Sequence, residues 1–314
     1  MNILVTGAGG FVGGHLTKLL MEHGHHVCSL GQGSPHNMPK DMHREVDILD
    51  KDKVVDALAQ LNPEVVFHLA ALSNVPYCWR EPEKAVAVNV CGMLHVLEAF
   101  ARVREGGRFV SIGSSDAYGI AANTGRPLTE EDICLPQNPY AVSKLCAEQL
   151  SMQLGKKLGI KVIHTRSFNH YGPGQALGFV VSDFACQVAQ IEIGKKTPVI
   201  SVGDLSAARD FTYVKDVIAA YASLIENDAP SGIYNICSGK AITIQQVLDN
   251  LLALSKVHVE VSKDPARDRP AEVPFFVGNN CKIRKAVGWQ PEVSFLEGIE
   301  KTLEYWRAVA SSTR

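Results

Sequence analysis

The feature that most constrains this chain is a glycine-rich segment placed directly after an apolar stretch at the N-terminus. Ile3–Thr6 has the character of a buried strand, and Gly7-Ala-Gly-Gly10-Phe-Val-Gly13 follows it without a spacer. A helical pattern then runs from Phe11 to His23. Tight turns from strand to helix need glycine, because the backbone visits conformations closed to other residues. The segment therefore predicts a strand, a turn and a helix as the first unit of an α/β fold.

Strand and helix patterns continue to alternate through the first half of the chain. Apolar runs predict further strands at His26–Leu30, Glu64–Ala70, Arg108–Ile112 and Lys161–Arg166. Helices are predicted at Val54–Leu61, Pro82–Val103 and Pro139–Leu158. Near-continuous valine, isoleucine and leucine in the strands is typical of burial on both faces. The pattern predicts a Rossmann-type, doubly wound parallel sheet with right-handed crossovers.

The alternation loosens after about residue 170, where loop-rich stretches separate four further helices. These helices are predicted at about 179–194, 214–227, 243–255 and 294–310. We expect residues 1–168, together with about 211–240, to form the sheet domain. Residues 169–210 and 241–314 are expected to form a smaller C-terminal lobe that binds the substrate.

Composition argues against several classes of partner. The 314 residues include 46% hydrophobic and 20% charged residues, and the net charge is −2. No basic field suggests a nucleic acid or a membrane surface as partner. No apolar run approaches the ~18 residues that a spanning helix needs. Since the first strand begins at the third residue, no targeting segment is expected, and the predicted compartment is the cytoplasm.

Cysteine and histidine patterns give no sign of a disulfide framework or a metal site. The eight cysteines are scattered without paired spacing and mostly lie in apolar stretches, as reduced thiols do. His23, His25 and His26 flank Gly24 at a turn between helix and strand, where solvated polar residues are expected.

The glycine turn also predicts a ligand. The helix that begins near Phe11 offers unpaired amide groups and a positive dipole end to a phosphate. Glycine at positions 7, 10 and 13 lets the backbone approach a pyrophosphate closely. We therefore expect Gly7, Gly10, Phe11, Val12 and Gly13 to bind NAD or NADP.

The choice between NAD and NADP depends on the end of the second strand. A carboxylate there would bind the adenosine ribose and favour NAD, but Leu30-Gly31-Gln32-Gly33 carries none. Arginine is also missing at that point, although Arg44 and Lys40 are near in sequence. This pattern weakly favours NADP. Asp47 and Ile48 are expected to contact the adenine.

A tyrosine and a lysine supply the candidate catalytic pair. Tyr140 and Lys144 stand four residues apart on a predicted helix, and therefore share one face. Asn138 and Pro139 fix the start of this helix as N-cap and first-turn proline. An ammonium beside a phenol lowers the phenol pKa from ~10, which predicts a group that exchanges a proton with a carbinol.

A hydroxyl from a third segment completes the predicted catalytic group. Ser111-Ile-Gly-Ser114-Ser115-Asp116 follows a predicted strand, at the sheet edge where ligands of parallel sheets bind. We expect the Ser114 hydroxyl to hydrogen-bond a substrate carbonyl together with Tyr140. Ser115 is expected at the substrate, and the competing view is that it is a simple turn residue.

These motifs resemble those of the extended short-chain dehydrogenases/reductases that modify nucleotide sugars, and the resemblance spans essentially the whole chain. It implies that Ser114, Tyr140 and Lys144 form the catalytic triad of the family. Phe67-His-Leu-Ala-Ala71 matches the strand and loop that line the cofactor in the family. The resemblance therefore adds Leu69, Ala70, Ala71 and Asn89 to the expected cofactor contacts.

The second half resembles the branch of this family that handles GDP-sugars. The resemblance rests on Phe168-Asn-His-Tyr-Gly-Pro-Gly-Gln175, Gly178-Phe-Val180, Ala208-Arg-Asp-Phe211 and Arg269-Pro-Ala-Glu-Val273. It implies that Asn169 holds the sugar or its phosphate and that Arg209 pairs with the diphosphate. Arg269 and Glu272 would clamp a phosphate and the ribose. Phe179 and Val180 are the remaining expected substrate contacts.

The resemblance leaves the reaction open between several candidates. Dehydratases of this branch carry a glutamate two residues after the triad hydroxyl, where this chain has the shorter Asp116. The first expectation is NAD(P)H-dependent reduction of the C4 keto group of GDP-4-keto-6-deoxy-D-mannose to GDP-rhamnose. The alternatives are a nucleotide-sugar 4,6-dehydratase that uses Asp116, a 4-epimerase, and a non-catalytic sugar sensor.

The family resemblance also implies a homodimer. The helices near 82–103 and 139–158 would form its interface. Apolar residues on more than one face of these helices are compatible with this expectation, although a helix fully buried within a monomer shows the same pattern. They are Val88, Met93, Leu97, Leu145 and Met152.

Overall fold

The protein, described here from a computed structural model, is defined for residues 1–33, 35, 38–264 and 273–312. The strands are β1 Asn2–Thr6, β2 His26–Gly31, β3 His43–Glu45, β4 Val65–His68, β5 Arg108–Ile112, β6 Lys161–Ser167, β7 Asn169–Tyr171, β8 Val199–Val202, β9 Ala208–Tyr213, β10 Gly232–Ile236, β11 Ala241–Thr243, β12 Glu260–Lys263 and β13 Phe275–Phe276. The helices are α1 Phe11–Glu22, α2 Lys51–Leu61, α3 Val75–Arg80, α4 Pro82–Val86, α5 Met93–Val103, α6 Pro139–Leu158, α7 Val180–Glu192, α8 Val214–Glu226, α9 Ile244–Ala253, α10 Cys281–Val287 and α11 Phe295–Ser312.

Within this described part, seven strands form one large sheet in the order β10-β6-β5-β4-β1-β2-β3, and every pairing in it is parallel. Alternating side chains of β1 point to opposite faces, as the pleat requires. Ile3 and Val5 pack with α1 and α8, whereas Leu4 packs with α2, α5 and α6. Helices thus cover both faces of the sheet, and the predicted doubly wound Rossmann-type fold is confirmed.

The helix predicted at Pro82–Val103 is continuous but not uniform. It comprises α4, a π-helical segment Ala87–Gly92 and α5. By length and composition alone this stretch would be long enough to cross a membrane. However, α5 packs against α2 and α6, and Val96, Leu97 and Phe100 are fully buried between them. One face of α5 is therefore packed in the core.

Smaller sheets lie in the second half of the chain. The central strand β9 pairs with β7, β11 and β13, and β8 pairs separately with β12. A second apolar core joins α7, α9 and α11 to these strands, with Tyr171, Val188 and Leu303 among its buried side chains. These elements bring β7 and β9 to the carboxyl ends of the large-sheet strands.

The two regions are interleaved along the chain. The strand β10 returns to the large sheet and pairs with β6, as expected for the segment around 211–240. The segment around α10 also belongs to this side, because Ile283 and Trp289 pack in the core of the large sheet. The division into two lobes stays a prediction, and its second lobe would not include all of 241–314.

The histidines and cysteines noted above have ordinary surroundings. His23 and His25 both hydrogen-bond Oε1 of Glu226, at 2.7 and 3.0 Å. All eight cysteines are free, and half of them are buried. Among the described residues, no cluster of three or more histidine, cysteine or acidic side chains has the arrangement of a metal site.

Candidate active site

The glycine turn between β1 and α1 is built so that side chains are excluded. Gly7 has φ +71°, and a Cβ there would lie 2.8 Å from the backbone nitrogen of Ala70. A Cβ on Gly13 would lie 2.2 Å from the carbonyl oxygen of Gly7. Gly10 is the N-cap of α1 and offers no side chain that could satisfy the first amides of the helix. The turn therefore presents free N–H groups at a helix N-terminus, which is a site for phosphate.

A cavity of 770 Å³ opens at the carboxyl ends of the large-sheet strands, beside this turn. It gathers most of the residues predicted from the sequence. The predicted residues that line it are Gly7, Gly10, Phe11, Val12, Gly13, Leu69, Ala70, Ala71, Ser114, Ser115, Asp116, Tyr140, Lys144, Asn169, Phe179, Val180 and Arg209. One cavity therefore joins the expected cofactor, catalytic and substrate residues.

The helix α6 presents the tyrosine and lysine as its sequence predicts. The Asn138 side chain caps it by accepting from Ala141 N at 2.8 Å, and Pro139 occupies the first turn. Lys144 is buried, and its Nζ donates to the carbonyl of Ile112 at 2.7 Å, at the end of β5. This contact fixes the ammonium at the carboxyl edge of the sheet.

The hydroxyl of Ser114 meets the phenol of Tyr140. Ser114 is the N-cap of the short 3-10 turn Ser115–Tyr118, and its Oγ accepts from Asp116 N at 3.2 Å. It also faces the phenol of Tyr140, near enough to oppose the rise of the Tyr140 pKa. The structure therefore brings together the hydroxyl and the phenol that the sequence assigned to catalysis.

The protonation of Tyr140 differs from the sequence-based expectation. Burial raises the pKa of Tyr140 above its ordinary value, the Asp116 charge adds to the rise, and the Ser114 hydrogen bond opposes it. Burial lowers the pKa of Lys144 to about 8. The predicted net lowering of the Tyr140 pKa is wrong, because burial of the phenol outweighs the groups that oppose the rise.

Opposite charges face each other on the substrate side of the cavity. Burial raises the pKa of Asp116, and the nearby Arg209 opposes this rise. Burial lowers the pKa of Arg209, and Asp116 opposes that change in turn. Both residues also line an adjoining cavity of 280 Å³, together with Asn169 and Phe276. The carboxylate and the guanidinium therefore stand where the two cavities meet.

The other predicted substrate residues fall into two groups. Asn169 begins β7 and lines both cavities, and Phe179 and Val180 lie at the start of α7. The predicted positions Arg269 and Glu272 lie outside the described residues. Their expected contacts stay predictions.

Three residues predicted to bind cofactor do not line the cavity. Asp47 is exposed and accepts from Gln32 Nε2 at 2.8 Å. Ile48 is buried against Gly92, so its side chain belongs to the core. Asn89 uses its amide to bind both backbone groups of Leu72 and the hydroxyl of Ser143. Asn89 therefore stabilises the loop after β4 without lining the cavity itself.

Sequence reasoning missed several residues that line the cavity. His170 stacks on Phe11 with 6.0 Å between ring centroids, and Gln175 donates to the carbonyl of His170 at 2.8 Å. Both lie inside the quoted segment 168–175, which could have indicated them. Tyr221 comes from α8 and hydrogen-bonds Ser167 at 2.6 Å. No local pattern in the sequence signals its position.

The fold and the site together define a class of protein. A doubly wound sheet, a glycine turn at a helix N-terminus and a buried lysine one helical turn from a tyrosine are the arrangement of an extended short-chain dehydrogenase/reductase.

Comparison with known proteins places the chain within this class. The sequence profile described as GDP-mannose 4,6 dehydratase matches residues 4–302, so the chain belongs to that family. It is 36% identical to GDP-6-deoxy-D-mannose reductase of Pseudomonas aeruginosa over 98% of this chain and 97% of that protein.

Two solved structures are similar over nearly their whole length. The structure of RMD from Pseudomonas aeruginosa complexed with NADPH has a TM-score of 0.88 and 34% identity, covering 98% of this chain and 99% of that one. The UDP-glucose 4-epimerase of Thermotoga maritima with UDP-glucose has a TM-score of 0.88 and 30% identity over the same shares. The fold is therefore shared between reductase and epimerase relatives.

Proposed function

We propose that this chain is an oxidoreductase that uses NADPH to reduce the C4 keto group of GDP-4-keto-6-deoxy-D-mannose, which yields GDP-rhamnose. One observation carries the proposal. The half-buried phenol of Tyr140 shares one helix face with the buried ammonium of Lys144 and faces the Ser114 hydroxyl. All three line the cavity that the glycine turn also lines. The similarity to a GDP-6-deoxy-D-mannose reductase supports the choice of substrate.

The residues at the turn fit a dinucleotide. The space that a Cβ on Gly7 or Gly13 would fill is left free beside the N-terminus of α1. Leu69, Ala70 and Ala71 would line the other side of the cofactor. The end of β2 carries no carboxylate, and RMD was solved with NADPH; both favour NADP over NAD. When bound, NADPH supplies the hydride for C4.

The chain's own residues then handle the oxygen and its proton. Ser114 would hydrogen-bond the carbonyl oxygen and hold it against Tyr140. As C4 becomes tetrahedral, Tyr140 Oη gives its proton to the forming alkoxide, and the ketone becomes a secondary alcohol. Lys144 below pH 8 provides a positive charge that favours the phenolate left behind.

Charged and polar groups on the other side of the cavity would hold the nucleotide-sugar. Arg209 is suited to the diphosphate because a guanidinium binds phosphate oxygens in pairs. Asn169 would bind the sugar, with Ser115, Phe179 and Val180 around it. Arg269 and Glu272 stay predicted contacts of a phosphate and the ribose.

A 4,6-dehydratase is the second candidate, favoured by the family name and by Asp116 in the cavity. Dehydration begins with oxidation of a C4 hydroxyl, which requires Tyr140 as a base. Tyr140 would take up that proton, in the reverse of its step in the reduction. A 4-epimerase would begin with the same oxidation. The 36% identity to a GDP-6-deoxy-D-mannose reductase favours reduction over both alternatives.

One assay separates these functions. The protein is mixed with GDP-mannose and NADPH, with and without a separate dehydratase that supplies the keto-sugar. A reductase consumes NADPH only when the keto-sugar is supplied, whereas a dehydratase forms keto-sugar from GDP-mannose alone. Binding of GDP-sugar without turnover would overturn both and favour a sensor.

Replacement of Asp116 by Asn sharpens the choice. For a reductase, Asp116→Asn keeps NADPH consumption within about threefold, since no proton passes through this carboxylate. For a dehydratase, the same substitution removes the acid and abolishes elimination. A loss of NADPH consumption as large as that of Tyr140→Phe would contradict the reductase.

We further infer a homodimer in the cytoplasm, without a nucleic-acid or membrane partner. Met93 and Leu97 are removed from the predicted interface, because both are buried in the chain's own core. Val86 on α4 and Val142 on α6 are exposed apolar side chains that would face a second copy. Size-exclusion chromatography with light scattering tests the dimer, and a monomer would overturn it.

A further inference from the structure

A buried ion pair lies beneath the catalytic helix. Glu148 on α6 is fully buried, and Arg166 on β6 is 4% exposed. Arg166 Nε donates to Glu148 Oε2 at 2.8 Å and Nη2 donates to Oε1 at 2.7 Å. This bidentate geometry fixes the guanidinium plane relative to the helix.

Glu148 stands on the same helix face as the catalytic pair. Tyr140, Lys144 and Glu148 follow one another at intervals of four residues. Lys144 donates to the end of β5, and one turn later Glu148 accepts from β6. Two successive turns of α6 are therefore tied to two adjacent strands, and this sets the position of the helix over the sheet.

Arg166 also reaches the loop that carries Ser114. Its guanidinium lies 4.7 Å from the ring centroid of Tyr118, four residues after Ser114. The Tyr118 hydroxyl lies 2.9 Å from the carbonyl oxygen of Thr129 and 2.8 Å from Asn235 Oδ1. The ring is thus held between a fixed cation on one face and polar partners at its tip.

A second contact from Glu148 fixes the same loop before Ser114. His164 Nε2 lies 3.5 Å from Glu148 Oε2. A Cβ on Gly113 would lie 2.1 Å from that same His164 nitrogen, so the loop backbone rests on the imidazole. The loop is therefore positioned on both sides of Ser114.

We propose that the Glu148–Arg166–Tyr118 stack is a positioning unit, which sets the distance between the Ser114 loop and the catalytic face of α6. None of these three side chains lines the cavity, so they act through the residues that do. The inference rests on the proposed function, since the groups it positions are those assigned to the reduction.

The test compares Tyr118→Leu with Tyr118→Phe. The leucine removes the ring that stacks on Arg166, whereas phenylalanine keeps the ring and loses only the hydroxyl. We expect Tyr118→Leu to lower kcat by roughly 10- to 100-fold, as misplacement by an ångström does. The KM for keto-sugar and the Kd for NADPH should change by less than about threefold, and Tyr118→Phe should restore kcat to within about threefold.

Arg166→Lys is the second variant, because lysine keeps the charge but loses the fork and the planar face. Arg307→Lys is its matched control. Arg307 forms a similar bidentate pair with Glu192, at 2.7 Å for both bonds, and neither residue lines the cavity. Arg307→Lys should lower the thermal unfolding temperature and leave kcat unchanged. Arg166→Lys should lower both.

The outcomes are distinguishable. The inference would be overturned if folded Tyr118→Leu and Arg166→Lys kept the kcat of the unmodified protein. It would also be overturned if their affinity for NADPH fell as much as their kcat. If Tyr118→Leu does not fold, Arg166→Lys alone decides. If the unmodified protein reduces no keto-sugar, the proposed function fails instead. The inference is then decided by a crystal structure of the folded stack variant, in which the distance between Ser114 Oγ and Tyr140 Oη must change.

Discussion

The two sides of the cavity are built in different ways. On the large-sheet side, the glycine turn and the Tyr140 helix each follow from a short continuous stretch of sequence. On the other side, Arg209 lies on β9 between the short strands β11 and β13, which come from later parts of the chain. The first side is built from residues close together in sequence, whereas the second is assembled from segments far apart in sequence. We infer that the chemistry depends on the first side and the recognition of the sugar on the second.

The largest effect should come from the chemical side. Tyr140→Phe removes the proton donor but keeps the ring in place. We expect kcat to fall by roughly 10²- to 10⁴-fold, the usual worth of a positioned acid. NADPH affinity, measured by fluorescence titration, should stay the same. A kcat within tenfold of the unmodified protein would show that another group supplies the proton.

The next largest effect should come from the glycine turn between β1 and α1. Gly13→Ala places a Cβ 2.2 Å from the carbonyl oxygen of Gly7. Overpacking of about 1–3 kcal/mol should weaken NADPH binding by roughly 10- to 100-fold. Gly9→Ala is the matched control, since a Cβ there meets no atom within 4 Å. Equal NADPH affinity of the two variants would contradict a close phosphate-binding turn.

The protonation of Lys144 gives a pH-dependent test of the same side. Because burial lowers its pKa to about 8, the ammonium is lost as the pH rises past that value. We expect kcat/KM to fall by about tenfold per pH unit above pH 8. The effect on folding has the opposite sign. Between pH 8 and the ordinary lysine pKa the unfolded chain binds more protons, so this group's contribution to the unfolding free energy rises with pH.

Two measurements check this prediction. A pH profile of kcat/KM locates the alkaline limb, and urea unfolding at several pH values gives the sign for stability. A limb that persists unchanged in Lys144→Arg would assign it to another group.

The smallest effect should come from the recognition side. Arg209→Lys keeps the charge but loses one of two paired hydrogen bonds, at a cost of about 1.4 kcal/mol. The KM for the nucleotide-sugar should rise by about tenfold, with kcat and NADPH affinity unchanged. Arg284→Lys, at an exposed position on α10, is the control. A fall in kcat for Arg209→Lys would show that the recognition side also contributes to the chemical step.

The sequence allowed the local side to be predicted in some detail. The first strand, the turn and α1 lie where the apolar runs and glycines indicated, and Asn138, Pro139 and Gly159 mark the ends of α6 as expected. These features depend on neighbouring residues, and this is why a single sequence carries them.

The remainder depends on contacts that no local pattern encodes. The strand β13 is only Phe275–Phe276 and exists because β9 accepts it as a partner. Periodicity cannot be detected in two residues. The direction of the Tyr140 pKa was predicted wrongly for a related reason, since the extent of burial is set by the whole fold. Asn89 likewise binds the backbone of the loop after β4, which its position in the sequence does not reveal.

The pairing of β10 with β6 has a consequence for synthesis on the ribosome. Until residues 232–236 have emerged, β6 is an unpaired edge of a nascent six-stranded sheet. Exposed edges of this kind template aggregation between chains. Completion of the large sheet must therefore wait until every residue of β7, β8 and β9 has been translated, so the open edge of β6 persists through the synthesis of this whole segment.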